Sequence, residues 1–346
     1  MSRPRVAVLG AGAWGTTLTL QLARTGPVTL LARDEATAAT LGEAHENARH
    51  LPGFRLPVEV EIAADPAAIA DADRLVIIAV PSSAIRLEAG RIGPSLHPDA
   101  ALLSVTKGLE RGSLLRMTEV LAAVIPGAIG RIGALSGPNL ALEIARGLPA
   151  SAVVASVEEG TGRRVLEVLG SRSFRLYTNR DVVGVELCGA LKNIVAIAAG
   201  AAERLGFGDN GKAGLITRGL AEMTRLGLAA GANPLTFAGL AGVGDVIATC
   251  ASSLSRNHRL GEELAKGRAW AEIEADLPGV AEGAYTVDAA LGLAARLGVE
   301  MPIAQEVHNA LFEGKSVQRC LVDLLSRESK DELAGLEGWS RRPSEA

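Results

Sequence analysis

The stretch "RVAVLGAGAWGTTLTLQLARTG", residues 5–26, decides the fold. A short apolar run, Val6 to Leu9, ends at Gly10, and "GAGAWG" then matches G-x-G-x-x-G. Trp14, Leu18 and Leu22 recur at helical spacing until Gly26 stops the helix. A glycine motif alone says little, but one that follows a strand and opens a helix has the context of a dinucleotide turn. Gly10 allows the tight turn, Gly12 lets a pyrophosphate approach the backbone, and Gly15 lets strand and helix pack closely. The helix N-terminus then faces the phosphates.

Further apolar runs follow: "PVTLLAR" after Gly26, then 74–80, 101–105, 131–137, 151–156 and 174–178. Helical stretches separate most of them, which predicts a parallel sheet covered on both faces. From about Gly184 the pattern changes to helices and turns without a strand. The expected fold is α/β: an N-terminal Rossmann-type doubly wound parallel sheet followed by an all-helical C-terminal domain. The domains expected are a dinucleotide-binding unit over 1–185, a helical substrate-binding and catalytic unit over 186–330, and a polar tail over 331–346.

Composition excludes several classes of function. At ~150 residues per domain, 346 residues make about two domains. A net charge of −4, with both signs scattered, leaves no basic footprint for nucleic acid. No apolar run approaching the ~18–20 residues of a membrane span is expected, hence no membrane insertion. The N-terminal apolar stretch is too short for a signal peptide. Cys188, Cys250 and Cys320 are far apart and odd in number, so they read as buried thiols in a reducing cytoplasm. The five histidines form no metal-binding spacing, and no metal is expected.

Of the 35 basic residues only six are lysine. Arginine keeps its proton in a protein, whereas a buried lysine can release one, so lysines in apolar settings stand out. Lys107 follows the strand at 101–105, at the carboxyl edge where open α/β sheets bind ligands. Lys192 and Asn193 interrupt an otherwise apolar or glycine run from Leu187 to Ala202. In "SGPNLALEIARG", Gly137 breaks a strand and Asn139 is placed to cap the next helix. Asp245 lies in a glycine-rich turn, and Ser255, Arg256 and Asn257 crowd hydrogen-bond donors ahead of an amphipathic helix. Donors at a helix N-terminus make an anion site, and arginine suits a phosphate bidentately. At the end of the second strand Arg33 favours a 2′-phosphate and Asp34 a 2′-hydroxyl, which leaves NAD and NADP both open.

In this order, "GAGAWG", "SVTKGLE", "LSGPNLALEIARGLPAS", "GVELCGALKNIVAIAAG", "ITRGLAEMTRLG", "AGVGDVIATC", "SRN" and "VAEGAYT" resemble the NAD(P)-dependent glycerol-3-phosphate dehydrogenases of the bacterial cytoplasmic type. The resemblance covers nearly the whole chain. It implies reversible reduction of dihydroxyacetone phosphate to sn-glycerol 3-phosphate, the head-group precursor of glycerophospholipids. It also implies Lys192 as the proton-transferring residue. Lys107, Gly137, Asn139, Lys192, Asp245, Ser255, Arg256 and Asn257 fall at substrate positions. Ala13, Trp14, Arg33, Lys107, Ala141, Arg256, Val280 and Glu282 fall at cofactor positions. Asn139 departs from the family, in which threonine is frequent at that point.

Elementary chemistry agrees with this reading. A carbonyl reduced to an alcohol leaves an alkoxide that must be protonated as it forms, and an ammonium beside that oxygen serves as stabiliser and general acid. Asp245 is expected to steady the lysine pair, Asn193 to hold a hydroxyl or the nicotinamide amide, and Arg256 with Asn257 to grip the phosphate. A dehydrogenase of a hydroxy acid or acyl thioester, or a non-catalytic dinucleotide sensor, would share the architecture. The long apolar helices leave room for a homodimer interface.

Overall fold

Eight strands form one sheet in the order β3-β2-β1-β4-β5-β6-β7-β8. They are β1 (Val6–Leu9), β2 (Val28–Leu31), β3 (Val60–Ala63), β4 (Leu75–Ile78), β5 (Ala101–Ser104), β6 (Ile132–Ser136), β7 (Ala150–Ser156) and β8 (Phe174–Asn179). This computed structural model describes residues 5–277, 279–328, 331–332 and 334–336. Residue 333 and residues 337–346 of the expected polar tail lie outside the described residues.

The order from β3 to β6 is that of a doubly wound dinucleotide fold, with its switch point between β1 and β4. Every residue of β1, β2, β4 and β5 is buried, as continuous apolar strands require when helices cover both faces. These helices are α1 (Ala13–Ala23), α2 (Glu35–Ala44), α3 (Ile85–Ile92), α4 (Met117–Val124), α5 (Ala141–Ala145) and α6 (Glu159–Leu169).

Two features of the sheet differ from the sequence reading. β3 was not expected, because Glu59 and Glu61 break its apolar run. It lies at the sheet's edge, where alternate side chains meet water. β7 runs antiparallel to β6. The only helix between them, α5, has five residues and spans about 7 Å at ~1.5 Å per residue. That is too short to recross a sheet about 17 Å deep at ~3.3 Å per residue, so the chain turns back from the edge it left.

After β8 the chain is helical: α7 (Val182–Arg204), α8 (Gly208–Ala229), α9 (Pro234–Phe237), α10 (Asp245–Ala251), α11 (Arg256–Ala265), α12 (Trp270–Asp276), α13 (Glu282–Leu297), α14 (Pro302–Phe312) and α15 (Val317–Leu325). The expectation that no apolar run reaches membrane length is corrected here. By length and composition α7 and residues 234–251 would each pass, yet 94% of the apolar window of α7 is buried inside the protein. Around α7 pack α8, α10, α11 and α13.

Small residues set how closely these helices approach. A methyl added at Gly200 would lie 2.0 Å from the carbonyl oxygen of His258, and one at Gly261 would lie 1.9 Å from that of Ile197. Backbone therefore meets backbone where α7 and α11 cross. At its start α7 is joined to the sheet domain by Glu186, which accepts from the backbone and hydroxyl of Thr118 and from Arg116. The Gly261→Ala variant is expected to lose about 1–3 kcal/mol, the usual cost of overpacking. A urea midpoint equal to that of the parent protein would contradict this contact.

Candidate active site

Three side chains far apart in sequence meet at the carboxyl edge of the sheet. Lys107 follows β5, Lys192 lies in mid-α7, and Asp245 opens α10 after a turn of π-helix at Leu240–Gly244. The Lys107 ammonium donates to Asp245 Oδ2 at 2.6 Å and to the Gly137 carbonyl at 3.0 Å. The Lys192 ammonium lies 3.0 Å from Asp245 Oδ1 and donates to Thr249 Oγ1 at 2.6 Å. Thr249 in turn donates to Asp245 Oδ1 at 3.1 Å. Lys192 is only 7% exposed and Asp245 1%. The amine in the apolar helix does not snorkel to water.

Electrostatics follow from this burial. Desolvation pushes the Lys107 ammonium down to about 8, and Lys192 adds to the push while Asp245 opposes it. Burial alone would raise the Asp245 carboxyl, but the two lysines outweigh it and hold the group below its ordinary value. Two amines against one carboxylate leave an excess of positive character in the cluster.

The glycine turn lies on the same edge. β5 is two places from β1, or about 10 Å at the usual ~4.8 Å strand spacing. Gly10 has φ +109°, and a methyl there would lie 2.8 Å from the carbonyl oxygen of Ala79. One at Gly15 would lie 1.9 Å from the Gly10 carbonyl, whereas Gly12 has nothing within 4 Å. The open space over Gly12, and a first turn of α1 without a capping side chain, fit a dinucleotide pyrophosphate. Ala13 and Trp14 form the first turn of α1. The Trp14 ring packs edge-on against Phe174 at 6.2 Å. Ala141 accepts from Thr17, which ties α5 to α1. Arg33 is exposed at the end of β2 and donates through Nε to Asp34, whose other oxygen caps α2 by accepting from Thr37.

A second network lies beside the lysine cluster. Asn257 donates to Asn193 Oδ1 at 2.9 Å and accepts from the Gly283 backbone at 2.9 Å, joining α7, α11 and α13. Ser255 caps α11 by accepting from the His258 backbone. Arg256, in the first turn of that helix, is exposed and has no hydrogen-bond or ion-pair partner among the described residues. Val280 is half-buried just ahead of α13, and Glu282 is bonded to Ser82. Asn139 does not cap α5 as expected. Leu140 is the cap residue, and both polar atoms of the Asn139 amide are buried without a partner.

The sequence reading missed Thr249, Ser82 and Asn47. Thr249 stands four residues after Asp245, so helical spacing could have placed its hydroxyl on the same face. Asn47 donates to the Ala11 carbonyl and to Thr16, bracing the glycine turn from the loop after α2, and nothing local signals that contact. Among the described residues no group of three or more His, Cys, Asp or Glu could hold a metal ion.

A dinucleotide turn beside a buried lysine–aspartate–lysine cluster, on a Rossmann sheet with a helical second domain, defines a nicotinamide-dependent oxidoreductase. Residues 5–161 match the family described as NAD-dependent glycerol-3-phosphate dehydrogenase N-terminus, and residues 181–322 match its C-terminus counterpart. The glycerol-3-phosphate dehydrogenase [NAD(P)+] of Streptomyces avermitilis is 46% identical over 334 residues, covering 96% of this chain and 99% of that one. That of Chlorobium luteolum is 46% identical over 330 residues, covering 94% and 99%. The crystal structure of the Coxiella burnetii glycerol-3-phosphate dehydrogenase is 36% identical and superposes with a TM-score of 0.89, covering 94% of this chain and 99% of that one. The chain belongs to the NAD-dependent glycerol-3-phosphate dehydrogenase family.

The cluster makes one electrostatic prediction. Asp245 favours the charged form of Lys107 against burial, so Asp245→Asn is expected to move the titration of that amine below about 8. Amine-selective labelling of Lys107 as a function of pH would measure it. A midpoint that stays or rises contradicts the arrangement.

Proposed function

We propose that the chain catalyses the reversible reduction of dihydroxyacetone phosphate to sn-glycerol 3-phosphate with NADH or NADPH, and so supplies glycerophospholipid synthesis. The observation that carries this reading is the Lys107–Asp245–Lys192 cluster at the sheet edge beside the glycine turn, with an unpartnered Arg256 nearby. A bound nicotinamide would supply the hydride.

The chain's own residues do the rest. Lys192 gives a proton through Nζ to the carbonyl oxygen as it becomes anionic, and takes it back in the reverse direction. Thr249 and Asp245 fix the direction of that ammonium. Lys107 sets a second positive charge beside the same oxygen. Arg256 takes the phosphate through its guanidinium fork, which places the carbonyl for reaction. The Asn193–Asn257–Gly283 bonds keep Lys192 and Arg256 at a constant separation, and Asn139 presents its unpartnered amide to a substrate hydroxyl. Both Asp34 oxygens are engaged while the terminal nitrogens of Arg33 are open, which supports NADPH as a coenzyme.

Three free, buried cysteines suit a reducing compartment, and we place the protein in the cytoplasm. We also read it as a homodimer. A groove of about 2010 Å³, lined in part by exposed Ile129, Val157, Phe207 and Leu325, involves none of the site residues and suits a partner surface. Light scattering behind a sizing column should give twice the chain mass, and a monomer at micromolar concentration would remove that reading.

Lys192→Met should bind NADH as the parent does, by fluorescence titration, while kcat for dihydroxyacetone phosphate falls at least ~10²-fold. Turnover within a few-fold of the parent would take Lys192 out of its role. Lys107 serves when protonated, so the rate of reduction should fall as pH rises through about 8. Lys107→Arg, which cannot titrate there, should lack that limb. A limb that persists in this variant would assign it to another group.

A further inference from the structure

Ser82 takes no part in the mechanism above, yet it is buried at the carboxyl edge of the sheet, four residues after β4. It donates twice to one carboxylate of the other domain. Its hydroxyl bonds Glu282 Oε2 at 2.5 Å, and its backbone N–H bonds Oε1 at 3.2 Å. Glu282 opens α13, close to Arg256 of α11, and each feels the other's charge. Both Glu282 oxygens are engaged by Ser82, and no ion pair joins that carboxylate to Arg256 among the described residues.

The seat of Ser82 is closely fitted. A methyl on Gly108, the residue after Lys107, would lie 2.7 Å from Ser82 Cβ and 2.9 Å from its hydroxyl. A methyl on Gly279 would lie 2.5 Å from Arg256 Nη1, so the loop ahead of α13 lies against the guanidinium. The start of α13 is bonded to the start of α11 through Gly283 and Asn257, so a Glu282 carboxylate released by Ser82 would pair with that guanidinium. It would then occupy the donor fork and cancel the charge that a phosphate needs.

We propose that Ser82 is a positioning residue of the substrate site: its paired bonds hold Glu282 off Arg256 and so keep the guanidinium available to the substrate phosphate. This rests on the reading of Arg256 as the phosphate ligand.

Steady-state kinetics with dihydroxyacetone phosphate tests it. Ser82→Ala should raise the KM about tenfold, with kcat within a few-fold of the parent. Ser82→Cys, nearly the same size but a weak donor, should fall between the two and covers the case in which alanine unfolds the loop. Adding Glu282→Gln to Ser82→Ala removes the competing charge, so the KM should return to within threefold of Glu282→Gln alone. A merely structural defect would not be reversed in this way. Arg256→Ala separates the two readings. If it raises the KM while Ser82→Ala and Ser82→Cys leave it unchanged, the positioning role is overturned. If Arg256→Ala itself leaves the KM unchanged, the phosphate assignment falls, and the inference with it.

Discussion

One carboxylate bonded to two ammonium groups holds this molecule together where it matters. Asp245 and Lys192 belong to the helical part of the chain, and Lys107 comes from the end of a sheet strand. Removing Asp245 would leave two buried ammonium groups without their shared partner, which costs far more than an exposed ion pair contributes. The two parts of the chain are therefore held in register by these buried groups.

Two further contacts bind the parts on either side of that cluster. Arg116 and Thr118 hold Glu186 near the start of α7, and Ser82 holds Glu282 at the start of α13. Both carboxylates are kept by donors from the sheet domain, and burial pushes both above the usual carboxylate range. Such pairs add little net stability after desolvation, but they tolerate only one geometry.

α7 explains how an amine can sit inside an apolar core. Its glycines and alanines let the sheet and α11 come close, so Lys192 is enclosed by backbone and small side chains. A methyl at Gly189 would lie 2.7 Å from Ser136 Oγ and 3.4 Å from the Lys107 stem. The small residues along the helix thus place its lysine and bring the second lysine alongside.

The glycine turn, the strands at 6–9, 28–31 and 75–78 and the apolar run of α7 were legible because each is written within about twenty residues, by periodicity and by positions where only glycine fits. β3 escaped notice because its glutamates resemble a loop, and the reversal of β7 was not written in β7 itself. Asn139 had the sequence of a cap, yet its backbone placed the cap at Leu140. Lys107, Lys192 and Asp245 could be singled out one at a time by residue type. That Asp245 meets Lys107 across 138 positions, Thr249 meets Lys192 across 57 and Ser82 meets Glu282 across 200 was decided only in the tertiary structure. Local sequence sets backbone conformation and burial pattern, whereas the pairing of buried charges depends on how whole helices pack, and no stretch of the chain encodes that alone.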